Sequence, residues 1–232
     1  MKDLLRISID ASLFAQWTAL IISFIALTTP LSITDTILNQ ILWLETIVQV
    51  IEVAFYTWYR DHITAAITDV AQYRYYDWMF TTPMMLFSTI LFYEYLYKKE
   101  HTPEKPVTIG GFLKEYSGST LVILFANFLM LVFGYLQEIG TVDILTSSIW
   151  GFLFFGISFY EMYARFAWRT DTSITLFLVM FSLWSLYGFA ALLENHAKNI
   201  AYNVLDIFSK NFYGIFLSYY IFSVSGSGMN LF

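Results

Sequence analysis

Two stretches of this chain decide its fold: RYYDWMFTTP at residues 74–83 and DIFSK at residues 206–210. Each stretch places ionisable side chains inside an otherwise apolar segment. A charge within a membrane-length apolar segment is expensive, so such residues point to function and need partners. The ionisable residues of the two stretches are natural partners for one another. The first stretch supplies Asp77, and the second supplies Asp206 and Lys210.

The composition is that of a membrane protein. The chain has 232 residues, of which 58% are hydrophobic, 20% aromatic and only 13% charged. Soluble domains are roughly 25% charged, and one of this size could not bury so much apolar surface. We therefore expect a lipid bilayer as partner. The net charge of -6 argues against nucleic acid. The absence of cysteine excludes disulfides and thiolate metal sites, and the three histidines lack metal-ligand spacing, so no metal is predicted.

Apolar runs of about 20 residues recur along the chain, and each is long enough to cross a bilayer as a helix. They lie at 9–29, 37–59, 65–97, 116–137, 144–168, 173–195 and 200–224. The short alternating strands of a barrel are absent, which leaves helices as the spanning structure. A cleaved signal peptide is the lesser alternative for the first run. The sequence predicts one all-α domain over residues 1–232, with a polar loop at 97–115 and a flexible tail at 223–232.

The distribution of basic residues predicts an orientation. Six basic residues lie at span ends or in loops on one side of the predicted bundle, and four lie on the other side. The two sets are Lys98, Lys99, Lys105, Lys114, Arg165 and Arg169 against Lys2, Arg6, Arg60 and Lys198. The positive-inside rule then places the N-terminus outside and the C-terminus in the cytoplasm of a multi-pass integral membrane protein.

Lys210 lies in the middle of the last apolar run. A buried lysine tends to lose its proton, becomes a nucleophile and forms Schiff bases with carbonyl compounds. Asp206 precedes Lys210 by one helical turn and shares its face. A plain salt bridge between Lys210 and an aspartate, locking two helices together, is the alternative on spacing alone.

The third run carries a polar stripe. Asp77, Thr81 and Ser88 follow steps of four and seven, so they share one helical face. Arg74 lies about one helical turn before Asp77, towards the outside. A continuous stripe of this kind indicates a proton or ion path. A polar seam between helices is the alternative, although a seam favours small residues and no arginine.

The pattern R-Y-x-D-W-x-x-T-T-P in the third run, together with D-x-x-x-K in the seventh, resembles the microbial (type 1) rhodopsins. The resemblance implies seven transmembrane helices around all-trans retinal, bound to Lys210 as a protonated Schiff base. It implies that Asp77 is the proton acceptor and counterion, Asp206 the second counterion and Arg74 the outer gate.

The resemblance extends to the residues expected around the chromophore. The implied retinal-contacting residues are Trp78, Thr82, Met130, Gly134, Phe155, Ser158, Met162, Trp184 and Tyr187. Ordinary core packing would explain any one of them alone. The chain departs from the family pattern at Gly188, where proline is usual, and at Ala191, where an aromatic is expected.

The second run supplies a different signal. Glu45, Gln49 and Glu52 are spaced four and three, so two carboxylates and an amide share one face, which Tyr56 continues. Carboxylates along a pore attract cations and replace part of their hydration. The alternative is that Glu45 lies at the solvated inner end, while Glu52 is neutral or hydrogen-bonded to a neighbouring helix.

Glutamates along the second helix resemble those of channelrhodopsins and of the rhodopsins of giant viruses, one group of which conducts cations. Ser12 in the first run, and Asn203 and Asn211 around the Lys210 turn, are candidates to complete constrictions with Glu45 and Glu52. The prediction is a light-gated channel for monovalent cations or protons, and no enzyme.

Two alternatives stay open. A light-driven outward proton pump is supported by Asp77 and weakened by Ser88, because a hydroxyl cannot donate a proton as a carboxyl does. Glu45 would then be a displaced donor. A photosensor acting on a separate partner protein is the other alternative, and assembly into a homo-oligomer is also left open.

Overall fold

Helices and the turns that join them make up the described part of the chain. The computed structural model describes residues 2–62 and 70–226. The α-helices are α1 Lys2–Leu27, α2 Ile37–His62, α3 Ala71–His101, α4 Ile109–Glu138, α5 Ile144–Arg165, α6 Asp171–Ala190, α7 Asn195–Asp206 and α8 Phe212–Val224. A short 3-10 turn, Ala167–Arg169, precedes α6.

The last two helices form one rod. A π-helical turn, Ile207–Asn211, joins α7 to α8, and the flanking residues Asp206 and Phe212 keep right-handed helical angles. The described chain therefore has seven rods, which confirms the predicted all-α membrane fold. By length and apolar composition alone, the five helices α1, α2, α4, α5 and α6 could cross a membrane. The rods outside that set are α3 and α7–α8, which carry the buried Arg74, Asp77, Asp206 and Lys210.

Several predicted boundaries were wrong, because apolar composition marks the bilayer core rather than the ends of a helix. The predicted loop at 97–115 shrinks to residues 102–108, since α3 and α4 both continue beyond their apolar parts. Ion pairs at the end of α3 support the extension: Lys98 pairs with Glu94 and Lys99 with Asp35. The predicted start of the third span at 65 and most of the predicted tail lie outside the described residues.

Side-chain caps fix the starts of three helices. Thr108 accepts a hydrogen bond from the Gly111 amide at 3.1 Å at the start of α4. Asp143 accepts from two backbone amides at 3.0 Å at the start of α5, and Thr170 accepts from the Ser173 amide at 3.1 Å at the start of α6. Such caps satisfy donors that the first turn of a helix leaves free. Sequence signals of this kind set the helix starts where hydropathy could not.

α3 is the central helix and is buried along most of its length. It defines two ends of the bundle, which we call the Arg74 end and the Lys99 end. Large apolar side chains on the outer helices, such as Phe14, Leu145 and Tyr219, are more than two-thirds exposed and face the lipid.

Candidate functional site

The Lys210 ammonium lies among three buried carboxylates from three different rods. Its Nζ is 3.2 Å from Asp77 Oδ2 and 3.3 Å from Asp206 Oδ1. It also donates a hydrogen bond to Glu52 Oε1. All four side chains are at most 3% exposed. Asp77 and Asp206 were the expected partners of Lys210. Glu52 was expected along an ion path or, as the alternative, hydrogen-bonded to a neighbouring helix, and such hydrogen bonds are present.

The π-helical turn presents Lys210 to this cluster. The turn closes by a hydrogen bond from the Phe212 amide to the Ile207 carbonyl, one residue longer than in an α-helix. The Lys210 carbonyl accepts a hydrogen bond from Gln49 Nε2 at 3.1 Å. The side chain of Gln49 therefore holds the backbone at the residue that carries the reactive nitrogen.

Arg74 is a second buried cation on the same network. Its Nη1 is 3.4 Å from Asp206 Oδ2, its Nε donates to Asn199 Oδ1 at 3.2 Å, and its Nη2 donates to Asn203 Oδ1. The guanidinium carbon lies 5.3–5.6 Å from the centres of four aromatic rings, those of Phe55, Tyr56, Tyr59 and Tyr202. These contacts fill the Arg74 end of the core with one connected polar and aromatic network.

Two hydroxyls orient Asp206 between the cations. Tyr56 donates to Asp206 Oδ2 at 2.6 Å and Tyr187 donates to Oδ1 at 2.7 Å. Lys210 and Arg74 together balance two of the three carboxylates, and a net buried charge is strongly disfavoured. We therefore expect one of the three carboxyls to carry a proton.

The proton-acceptor candidate, Asp77, is followed by a helix turn shaped by threonines and Pro83. Thr81 Oγ1 donates to the Asp77 carbonyl at 3.1 Å, and Thr82 Oγ1 donates to the Trp78 carbonyl at 2.8 Å. Pro83 has no amide hydrogen, so the carbonyl of Met79, four residues earlier, loses its helical donor. The two hydroxyls bond the preceding carbonyls, as threonines inside helices often do. Asn127 then donates to Thr82 at 2.8 Å and ties α4 to the same turn.

An apolar cavity of about 130 Å³ leads to Lys210. Eight of the predicted cofactor residues line it: Trp78, Thr82, Met130, Gly134, Phe155, Trp184, Tyr187 and Lys210. Ser158 and Met162 do not line it. Ser158 is buried and donates to the Ile123 carbonyl at 3.0 Å, and Met162 is buried in the apolar core.

The cavity also has lining residues that sequence reasoning did not select, among them Tyr75, Met85, Phe152 and Tyr202. Tyr75 follows Arg74 inside the quoted motif, so its proximity to the site was available as a signal. Gly188, one of the family departures, lies against Phe152: a Cβ there would be 2.5 Å from Phe152 Cζ. The aromatic ring thus fills the space beside this glycine.

Glu45 is fully buried, so the alternative that places it at a solvated helix end is wrong. Ser88 Oγ donates a hydrogen bond to Glu45 Oε1. The adjacent Thr89 donates to the Tyr213 hydroxyl at 3.2 Å, which brings α8 to the same level. A carboxyl from α2 therefore lies at hydrogen-bond distance from Ser88.

The remaining ion-path candidates fall into two groups. Ser12 Oγ donates to the Asn203 carbonyl at 2.8 Å, and Asn203 also contacts Ser8, so both candidates belong to the Arg74 end. Gln49 and the fully buried Asn211 flank Lys210 on the opposite side. Ser12 and Asn203, which were candidates to complete constrictions with Glu45 and Glu52, therefore lie at the level of Arg74 and away from Glu45.

A row of buried polar atoms runs from Lys210 towards the Lys99 end without hydrogen-bond partners among the described residues. It comprises Gln16 Oε1, Ser23 Oγ, Glu45 Oε2, Gln49 Oε1, Asn211 Oδ1 and Asn211 Nδ2. Gln16 is joined to the cluster because its Nε2 donates to Glu52 Oε2 at 3.3 Å. Buried polar atoms without protein partners require water or ions, because leaving them unpaired costs about 1–3 kcal/mol each.

Buried ion pairs join the rods at both ends of the bundle. At the Arg74 end, Lys198 Nζ lies 2.8 Å from Glu138 Oε1, with both side chains at most 5% exposed. At the Lys99 end, Arg169 Nη2 lies 2.7 Å from Glu94 Oε2.

Asn199, which follows Lys198, accepts a hydrogen bond from Arg74. Sequence reasoning missed Asn199, although Asn199, Asn203 and Asp206 follow steps of four and three on one face.

The described residues contain no group of three or more histidine, cysteine, aspartate or glutamate side chains able to hold a metal ion. The site itself brings together one amine, one guanidinium, three carboxyls and an apolar cavity.

These features define a class of protein. The family model for bacteriorhodopsin-like proteins matches residues 10–224, and the chain belongs to this family of microbial rhodopsins. Members of the family bind retinal through a Schiff base and are in general light-driven transporters or sensors. The predicted family is thus confirmed, as is a multi-pass integral membrane protein surrounded by lipid.

Solved structures agree with the family. The viral rhodopsin OLPVRII is 29% identical with a TM-score of 0.80, and the match covers 95% of this chain and 99% of that one. The blue light-absorbing proteorhodopsin from Med12 is 18% identical with a TM-score of 0.72 over 94% of this chain and 96% of that one. The bromide-bound halorhodopsin of Halobacterium salinarum is 17% identical with a TM-score of 0.72 over 94% and 93%. The last two show the fold alone. No curated protein sequence matches.

Proposed function

We propose that this protein is a light-gated channel for monovalent cations or protons. The observation that carries the proposal is the row of buried polar atoms between Lys210 and Glu45, which lack partners among the described residues. Its members come from α1, α2 and the π-helical turn, and carboxylates lie at both ends of the row. Such a row provides oxygen ligands for a partly dehydrated cation and space for water.

The residues fit all-trans retinal attached to Lys210. A buried lysine opens onto an apolar cavity whose aromatic lining suits a polyene, and carboxylates surround the nitrogen that would carry the positive charge of a protonated Schiff base. When bound, retinal supplies absorption of visible light and a light-driven change of shape at Lys210.

The chain's own residues then couple a proton movement to the path. Asp77 Oδ2 lies 3.2 Å from Lys210 Nζ and is placed to accept a proton from that nitrogen. Loss of the positive charge at Lys210 removes the attraction that holds Glu52 against it. Glu52 and Gln16 are then free to reorient towards the row, and this local charge change acts on the contacts between α1, α2 and α8.

The path is closed at both of its ends, and each end would have to open for ions to pass. At the Arg74 end, the network of Arg74, Asp206 and Asn203 blocks passage and would separate as Asp206 loses its partner at Lys210. Apolar side chains close the other end in this structure. By the positive-inside count, the Arg74 end faces outwards and the Lys99 end faces the cytoplasm.

Voltage-clamp recording of light-evoked current, in cells expressing the chain with added retinal, tests the channel. We expect a current that reverses sign at a potential that follows the cation gradient. A current in one direction at all voltages would reject the channel in favour of a pump. A coloured protein without current would reject both in favour of a photosensor.

The variant Glu52→Gln tests the path itself. It keeps the shape and the hydrogen bond to Gln16 but removes a carboxylate, so conductance or ion selectivity should change while the pigment stays coloured. Glu104→Gln, in the exposed loop between α3 and α4, is the matched control for loss of one negative charge. Equal currents in Glu52→Gln, Glu104→Gln and the parent protein would contradict the assignment of Glu52.

The variant Lys210→Ala tests the attachment site. Without the amine no Schiff base can form, so the protein should bind no coloured retinal. The neighbouring variant Ser209→Ala keeps the amine and should remain coloured. A coloured Lys210→Ala protein would show that retinal is attached elsewhere.

A light-driven outward proton pump is the second candidate, and the hydrogen bond between Ser88 and Glu45 favours it. Glu45 would return a proton towards Lys210 through Ser88 after Asp77 has accepted one. In that case Glu45→Gln should slow the recovery of the pigment after a flash, and added azide, a small proton carrier, should restore it. A recovery rate unaffected by Glu45→Gln would count against the pump.

A further inference from the structure

A compact cluster of oxygen atoms surrounds an ammonium at the Lys99 end. The Tyr95 hydroxyl donates to Asp35 Oδ1 at 2.5 Å and accepts from Lys99 Nζ at 2.6 Å. Lys99 Nζ also lies 3.0 Å from Asp35 Oδ1. Ser32 Oγ donates to Asp35 Oδ2 at 2.6 Å. The cluster thus joins the loop between α1 and α2 to the end of α3.

The cluster lies in line with the polar row. Seven residues, or two helical turns of roughly 10 Å in total, lead along α3 from Ser88 to Tyr95. The same step along α8 leads from Tyr213 to Tyr220, whose ring centre is 6.1 Å from that of Tyr95. α3 and α8 therefore run from the level of Glu45, the inner limit of the row, to the level of the oxygen cluster.

One apolar layer separates the two polar levels. Leu42 of α2, Leu91 of α3 and Leu217 of α8 are all at most 2% exposed and belong to one core cluster. An ion that passed Glu45 would cross this layer and next meet Asp35. The cluster is therefore a polar group beyond the apolar layer, on the side of the Lys99 end.

We propose that the oxygens of Ser32, Asp35 and Tyr95 form a binding site for a monovalent cation, which the Lys99 ammonium occupies in this structure as a tethered competitor. The role of the site in permeation rests on the proposed channel function, whereas the binding of a cation does not. Carboxylate and hydroxyl oxygens suit hard cations, and a single carboxylate balances a single positive charge.

The two members of the ion pair differ in freedom. The Lys99 side chain is 39% exposed, whereas that of Asp35 is 12% exposed. A lysine has a flexible stem, and an ion pair with one partner in water is weak, so Lys99 can leave at little cost. Burial raises the pKa of Asp35, but hydrogen bonds from Ser32, Tyr95 and Lys99 outweigh it and lower the pKa below its ordinary value. Asp35 therefore remains a carboxylate at neutral pH.

Thermal melting of the purified, retinal-loaded pigment in the dark tests the site without any current. The variant Lys99→Gln frees the oxygens, so sodium or potassium chloride should raise its melting temperature by about 2 °C or more over N-methylglucamine chloride at equal ionic strength. The parent protein should show a smaller rise. Lys105→Gln, which removes an exposed charge from the adjacent loop, should behave as the parent protein does.

Three results would overturn the proposal: no cation-specific rise in Lys99→Gln, an equal rise in the parent protein, or a rise that survives in Lys99→Gln/Asp35→Asn. Retained colour shows that a variant has folded. Recordings separate this proposal from the channel itself. A parent protein without photocurrent refutes the channel and leaves the melting result standing. With a channel present, Lys99→Gln should reach a larger share of its maximal current at low cation concentration than Lys105→Gln.

Discussion

The buried pair of Lys198 and Glu138 allows a prediction with a worked magnitude. Lys198 Nζ lies 2.8 Å and 3.1 Å from the two oxygens of Glu138, and the side chains are 5% and 3% exposed. At an effective dielectric constant of 20, the attraction is about 6 kcal/mol, and most of it offsets the cost of removing both charges from water. Removing one partner leaves the other charge buried alone, which destabilises a protein by about 3–5 kcal/mol.

We therefore expect Lys198→Met to lower the melting temperature of the pigment by roughly 6–20 °C, at about 2–4 °C for each kcal/mol. The double variant Lys198→Met/Glu138→Gln should recover much of this loss, because no charge is left unpaired. The assay follows the loss of visible absorbance on heating. It compares the single variants Lys198→Met and Glu138→Gln with the double variant and the parent protein.

The pair of Arg165 and Glu161, 3.2 Å apart on one face of α5 with side chains 62% and 19% exposed, is the more solvated control. Breaking it with Glu161→Gln should change stability by no more than about 1 kcal/mol. The reasoning would be refuted if Lys198→Met melted within about 3 °C of the parent protein, or if the double variant were no more stable than the single one.

Gly188→Ala should lower the melting temperature, because the new Cβ would meet the Phe152 ring at 2.5 Å and overpacking costs about 1–3 kcal/mol. Gly156→Ala, with no atom within 4 Å of its Cβ, is the control for the change in helix propensity, and equal melting of the two variants would contradict the packing argument. The depressed pKa of Asp35 predicts a stabilising contribution above the ordinary carboxyl pKa, near 4, that is lost as the pH falls through the lower folded-state value. Between pH 6 and pH 3 the melting temperature of the parent protein should fall as this contribution is lost, whereas Asp35→Asn should not show that part of the fall. Parallel pH profiles of the two melting temperatures would argue against the contribution of Asp35.

The fold and the centre of the site followed from local spacing. Apolar runs gave the number of rods, and the four-residue step from Asp206 to Lys210 gave one of the carboxyls that lie beside the lysine. These patterns concern one helix at a time, and each helical face is fixed by its own sequence. For the same reason Asp77, Thr81 and Ser88 could be placed on one face before any contact was known.

Contacts between rods could not be read in this way. Glu52 and Lys210 are 158 residues apart, and nothing in either segment shows which of its neighbours a side chain reaches. Spacing put Glu45, Gln49 and Glu52 on one helical face. In the structure each has a different partner: Glu45 contacts a serine, Gln49 a backbone carbonyl and Glu52 the lysine. Ser12 and Asn203 were likewise singled out as polar residues, but spacing could not show that they contact each other at the Arg74 end. Helix ends were misplaced because charged residues beyond the bilayer remain helical.

The π-helical turn at Ile207–Asn211 also constrains how this chain can change in length. An α-helix turns by about 100° for each residue, so deleting one residue there would restore regular geometry at the expense of the register of α8. Leu217, Ser218 and Ile221, now buried, would rotate away from their present neighbours, and Gly214 would leave the amide of Gln49. The length of this segment is thus a structural constraint in its own right, and an alignment that places a gap there would misassign the face of every residue that follows.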